Sequence, residues 1–207
     1  PRDYSIASVP QDGAVHLLVR RARRTDGSLG VASGWLTQAA EVNAPVMLRV
    51  RAHAGFRIGD NAKRPLILIG KGTGLAGLRG HIRGRMMGSD VAVGPATVAP
   101  MWLLFGVRNA RCDAHHRDAI DAWVRKGWLS RVDWVFSRDQ VERLYVQHAL
   151  AESAVAVREW VAEGAANYVC GSLEGMAGEV NATLQRILGE ATLQQLASEG
   201  RYRRDVY

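Results

Sequence analysis

Apolar residues follow two rhythms along this chain, and the change between them falls near residue 60. Before it, "AVHLLVR" (14–20) and "VMLRVR" (46–51) have strand character, and "RRTDGSLG" (23–30) between them supplies turn chemistry. The stretch "GFRIGDNAKRP" (55–65) reads as a linker. After it, short apolar runs alternate with helical patterns: "LILI" with "LAGLRGHIRGRMM", "MWLLFG" with "HHRDAIDAWVRKG", "RVDWVFS" with a long helix, and "NYVCG" with another. In the long helix Val146, Leu150, Ala154, Val157 and Val161 step by three or four residues into one buried stripe. Val180, Leu184, Ile187 and Leu188 do the same in the next. Strands alternating with helices at this spacing predict βαβ units and a parallel sheet. The organisation expected is a β segment over 1–60 followed by an α/β domain over 61–207, with no internal repeat.

Composition narrows the class only a little. With 207 residues, 47% of them hydrophobic and 23% charged, the chain has the make-up of an ordinary globular protein. No apolar run approaches the roughly 20 residues that span a bilayer, and no secretory leader pattern opens the chain. Cys112 and Cys170 lie too far apart to form a metal or redox pair, so a reducing, cytoplasmic compartment is expected. A net charge of +7 suits nucleic acid, an anionic cofactor or an acidic protein partner alike. "RRARR" (20–24), the one dense basic run, reads as a solvated loop or strand edge. "CDAHH" gathers Cys112, His115 and His116 but has no second cluster to complete a tetrahedral set, so no metal is expected there.

The chemistry concentrates around "PLILIGKGTGLAGLRG" (65–80), an apolar strand that ends abruptly in glycines. Gly72, Gly74 and Gly77 satisfy G-x-G-x-x-G between a strand and a helix. Such a loop brings backbone N–H groups and a helix N-terminus to a pyrophosphate, although a glycine-rich turn also serves packing alone. A Walker-type loop is excluded because Lys71 is followed by glycine. The acidic residue that a simple NAD site carries about 20 residues on is not convincingly present; Asp90 sits in the loop "GSDVAVGP".

Seven stretches, in order, resemble the flavin-adenine and NADP-binding module of the diflavin reductases, a family that includes the sulfite reductase flavoprotein and the NADPH–cytochrome reductases. They are "RDYSIAS", "GVASGWL", "GKGTGLAGLRG", "LLFGVRN", "FSRDQVERLYVQ", "NYVCGSLEGMA" and the terminal "GRYRRDVY". The resemblance implies a Rossmann-like parallel-sheet NADP-binding domain preceded by a partial antiparallel β-barrel that binds FAD. It implies that Arg2 faces the flavin pyrophosphate, Tyr4 packs on the isoalloxazine and Ser5 hydrogen-bonds near flavin N5. Gly30, Val31, Ala32 and Ser33 match the loop that binds the flavin pyrophosphate, and Tyr207 matches the aromatic that stacks on the flavin and swings aside for the nicotinamide. Gly72, Thr73 and Gly74 would cradle the phosphates of NADP(H). Ser137, Arg138, Arg143 and Tyr145 correspond to the pocket for the 2′-phosphate and adenine, with Arg108, Gln147 and Glu179 as further contacts. Two guanidinium forks and a hydroxyl suit a fixed dianion, although "SRDQVER" also reads as a charged helix start capped by Ser137. Cys170 and Asp205 would sit beside the nicotinamide with Ser5, shaping hydride transfer without nucleophilic attack.

The chain departs from the family pattern at Lys71, Gly77, Ser172 and Arg24, and most of all in that R-x-Y-S begins at residue two rather than partway along a flavin-binding barrel. The expectation is an NADPH-dependent flavoprotein reductase module whose nucleotide domain folds well and whose flavin affinity is weakened in this chain alone. Electrons would leave through an FMN domain or flavodoxin, upstream or on another chain, to a haem or iron–sulfur acceptor such as sulfite reductase. The competing readings are a stand-alone ferredoxin- or flavodoxin-NADP reductase and a non-catalytic NADP-binding remnant. Neither nucleic acid nor a membrane span is expected.

Overall fold

Four of the apolar runs become strands. In the computed structural model, which describes residues 2–88, 94–111, 114–172 and 176–207, these are β1 (Leu66–Lys71), β2 (Met101–Val107), β3 (Arg131–Phe136) and β4 (Ala166–Gly171). A fifth strand, β5 (Tyr202–Val206), forms in the terminal stretch, where the sequence pattern gave no strand signal. All pair in parallel, in the order β3-β2-β1-β4-β5. The chain steps outward from β1 to β3, crosses back to β4, and leaves a crevice between β1 and β4 where the winding reverses.

Successive residues of a strand point to opposite faces, and this sheet is covered on both. Leu66, Leu68, Phe105 and Tyr168 pack against α2 (Leu75–Gly88) and α3 (Arg117–Arg125). Ile67, Ile69, Trp102 and Val169 pack against α4 (Val146–Glu152), α5 (Ala154–Ala162), α6 (Gly178–Leu188) and α7 (Glu190–Ser198). Burial on both faces is why β1 and β2 read as continuous apolar runs rather than alternating ones. The expected long helix is divided: Val146, Leu150 and Val157 are buried as one stripe, but Ser153 interrupts it with φ −91° and ψ 18°. The Ser153 hydroxyl there accepts a 2.9 Å hydrogen bond from Arg131.

Residues 2–60 contradict the strand expectation. Neither 14–20 nor 46–51 forms a strand, and the described residues before β1 carry only two isolated antiparallel bridges, Ile6↔Leu17 and Arg23↔Leu29. Short helical turns take their place, among them α1 (Val31–Gly34). The physical reason is pairing: an extended segment without a neighbour leaves its N–H and C=O groups to water, and isolated two-strand pairs are marginal.

The segment read as a linker is instead bolted to the α/β unit. Asn61, buried, donates to the Tyr168 hydroxyl (2.9 Å) and to the Gly200 carbonyl (2.8 Å), while its own carbonyl accepts from Arg85 (2.8 Å). Arg85 reaches the Arg64 and Ala99 carbonyls as well, and burial lowers its pKa to about 10. Further upstream, Asp12 pairs with Arg83, and Arg79 donates to the Ala7 carbonyl, so residues 7–12 lie on α2.

Candidate functional site

Because every strand runs the same way, the turns after β1, β2, β3 and β4 and the residue after β5 meet at one edge of the sheet. That edge receives Gly72–Gly74, Arg108, Ser137, Gly171 and Tyr207. Gly72 turns the chain at φ +56°, with nothing near its Cα substituent position, and a short 3-10 turn over Gly72–Gly74 then feeds α2. Gly74 is glycine for closeness: a methyl group there would lie 2.1 Å from the Cys170 carbonyl oxygen. At Gly77 it would lie 3.2 Å from the Cys170 sulfur. The loop is therefore both open at its tip and sealed at its base against β4.

Residues from four distant parts of the chain meet over that seal. Asp205, on β5, accepts a 2.9 Å hydrogen bond from the Ser5 hydroxyl and faces the Cys170 sulfur at 3.8 Å through the same oxygen. Its other oxygen lies 3.6 Å from His53 Nδ1. Burial first, and then the Asp205 charge, push the Cys170 thiol well above its ordinary pKa. The sulfur stays protonated and donates, which opposes nucleophilic chemistry. Tyr207, half exposed, shares a 2.8 Å hydrogen bond between its hydroxyl and that of Thr73, and its N–H reaches the Gly171 carbonyl at 3.2 Å. The last residue thus lies across the mouth of the β1–β4 crevice.

The arginine side forms at the same edge, beyond β2 and β3. Arg108, Arg138 and Arg143 are exposed, as are Tyr145 and Glu179, while Gln147 is partly buried. Among the described residues no carboxylate pairs with any of the three guanidiniums. Ser137 does not cap a helix: 137–142 is a bend, and α4 begins only at Val146. Its N–H instead continues the β2–β3 ladder to the Val107 carbonyl at 3.0 Å, and the Arg138 N–H follows to the Arg108 carbonyl at 2.9 Å. Uncompensated guanidiniums at the mouth of an open sheet fit a phosphorylated ligand.

The expected flavin residues are less gathered. Arg2 is exposed, and Tyr4 is partly buried. Gly30, Val31 and Ala32 border α1, and the buried Ser33 hydroxyl is taken up internally by the Ala22 N–H at 3.1 Å. An open groove of about 450 Å³ runs along Gly30, Val31, Gly34 and Trp35. Ser5 and Tyr207 join the Cys170 side of the site, whereas the Ser33 hydroxyl serves the fold of its own turn. Cys112 and Asp90, weighed from the sequence, lie outside the described residues.

Sequence reasoning missed four residues that shape the site. His53 faces Asp205; Phe56 and His81 pack with ring centroids 4.9 Å apart beneath Gly77. Asp139 joins two loops, accepting from the Asn109 side chain at 2.8 Å and the Ala110 N–H at 2.7 Å. None has a local signature, because each acts on a segment distant in sequence.

Comparison with known proteins agrees with this geometry. The family described as the oxidoreductase NAD-binding domain matches residues 68–182. Over its full length the chain is 34% identical to the sulfite reductase [NADPH] flavoprotein alpha-component of Mannheimia succiniciproducens, of which it covers 36%. It is 35% identical to the protein of the same name from Vibrio cholerae serotype O1, covering 35% of it. The corresponding protein of Neisseria meningitidis serogroup B is 34% identical, with 36% covered. The chain thus spans about a third of the length of these relatives. With more than half of its residues matched, from inside β1 to inside α6, the chain belongs to the oxidoreductase NAD-binding domain family.

Proposed function

We propose that this chain is the nucleotide-binding part of an NADPH-dependent flavoprotein reductase, with residues 61–207 holding NADP(H) and residues 1–60 contributing to a flavin site. The observation that carries the reading is the shared sheet edge. A protonated Cys170 with Ser5 and Asp205 lies at one end, arginines with no carboxylate partner among the described residues lie at the other, and an open glycine turn lies between. That spread suits a dinucleotide with its phosphate-rich end toward Arg108, Arg138 and Arg143 and its reactive ring near Cys170. When NADPH and FAD are bound, they supply hydride transfer from nicotinamide to flavin, followed by one-electron departure.

The side chains orient and gate rather than react. Asp205 anchors the Ser5 hydroxyl and the Cys170 S–H, fixing the floor on which the ring rests. Tyr207 covers that floor until its bond to Thr73 is exchanged for ligand. The names of the relatives support sulfite reduction as the destination of the electrons; the route proposed for them runs through an FMN domain or flavodoxin to a haem or iron–sulfur partner. The excess of basic residues suits docking to an acidic flavodoxin face, so the rate of transfer falls as salt rises. A second reading has its own observation: with no strand over 14–60, the chain is a nucleotide-binding piece that holds flavin weakly. Titration with FAD separates the two. Stoichiometric yellow complex and NADPH–ferricyanide activity support the reductase, whereas a colourless protein that still binds NADPH supports the second. Calorimetry that finds equal affinity for adenosine 2′,5′-bisphosphate and 5′-AMP overturns both.

A further inference from the structure

The two loops that carry the arginines are held together by a carboxylate that touches none of them. The last strand pair between β2 and β3 is Val107↔Phe136, and two backbone hydrogen bonds prolong the ladder to Ser137 and Arg138. Beyond that point Asp139 takes over: its two oxygens accept from the Asn109 side-chain amide at 2.8 Å and from the Ala110 N–H at 2.7 Å. Both donors are neutral, and both belong to the opposite loop. These hydrogen bonds hold the Asp139 carboxyl below the ordinary carboxylate range, so the link is charged and intact at neutral pH.

The consequence is geometric. Arg108 and Arg138 sit on adjacent strand extensions, exposed and without a carboxylate partner among the described residues. Like charges so placed push the loops apart unless something pins the loops themselves. A carboxylate bonded to a guanidinium would occupy the fork that a phosphate needs. Bonded to Asn109 and Ala110 instead, it pins the loops and leaves the forks free.

We propose that Asp139 is a positioning residue that sets the preference for a 2′-phosphorylated adenosine, by clamping loop 137–143 to loop 108–110. The inference rests on the NADP reading above and adds to it the residue through which selectivity is held. It also makes a sign prediction. Asp139 is negative, so if it acted only through its charge, its removal would tighten binding of a phosphate dianion. If it acts as the clamp, its removal loosens that binding.

Calorimetry on the whole chain with adenosine 2′,5′-bisphosphate and with 5′-AMP decides between them. Asp139→Ala is expected to weaken the bisphosphate about tenfold, the scale of losing one to two exposed hydrogen bonds that preorganise a site, and to leave 5′-AMP within about twofold. Asp139→Asn, which keeps one acceptor oxygen, falls between. Asn109→Ala, which leaves every charge in place, reproduces much of the loss, and the double variant is no worse than Asp139→Ala alone. Circular dichroism of each variant checks that it folds, and Asn109→Ala tests the clamp without altering Asp139 itself. If wild type prefers the bisphosphate and Asp139→Ala and Asp139→Asn keep or strengthen that preference, the clamp is overturned and the NADP reading stands. If wild type shows no preference, both fall.

Discussion

The segments 46–51 and 66–71 have equal length and a similar apolar character, yet they end in opposite environments. In the first, Met47 is 97% exposed and Val50 75%; in the second, Leu66 to Ile69 are fully buried. The difference lies in neighbours. β1 pairs with β2 on one side and β4 on the other, and helices cover both of its faces. Segment 46–51 has no strand partner among the described residues. Each leucine or isoleucine taken fully from water is worth about 1.5–3 kcal/mol, so β1 is held many times over while 46–51 gains almost nothing. A strand is a relation between segments before it is a property of one.

The largest effect is expected where the ordered half is tightest. Gly74→Ala puts a methyl group against the Cys170 carbonyl, forcing β1 and β4 apart at the crevice. A destabilisation of about 3 kcal/mol is expected, seen as a fall of about 10 °C in Tm. An unchanged Tm would show that the two strands are not so closely apposed.

The seam between the halves is probed by pH. His81 lies under Phe56 with its Nε2 shut away from solvent and unpartnered, although part of the residue is accessible. Burial lowers its pKa from 6.5 to about 4. The folded form resists a proton that the unfolded chain accepts, so stability is full above pH 6.5 and declines as pH falls toward 4. Between pH 7.5 and pH 5 the loss attributable to this ring is about 2 kcal/mol. Denaturant unfolding of His81→Gln, compared with wild type at the two pH values, should lack that component. The smallest effect belongs to the loose half: Met47→Lys should move the unfolding midpoint by less than about 0.5 kcal/mol. A large loss there would mean that 46–51 is packed in solution.

The same distinction governs what was legible beforehand. The apolar runs of β1 to β4 announced themselves because burial on both faces needs continuous hydrophobicity. β5 stayed hidden because "YRRDV" carries three charges and lies on an edge, where Tyr202 is its one buried side chain. Within the site, Ser5, Cys170 and Asp205 follow from the resemblance to the diflavin reductases, and the fold brings them together. The His53 contact and the Asp139 clamp were invisible, since a lone histidine or aspartate carries no spacing that betrays a partner 152 or 30 residues away.

By itself, then, the order of residues determined the βαβ alternation, the glycine turn and the kinds of side chain available to a nucleotide, because these depend on local periodicity and on chemistry near in sequence. Only the tertiary structure decided that 46–51 stays exposed and unpaired among the described residues, that the linker is bolted down through Asn61, and that a thiol, a hydroxyl and a carboxylate share one small space. Those outcomes turn on which distant segments come within a few ångströms of each other. Contact energies fall off over that distance, and no local pattern encodes it.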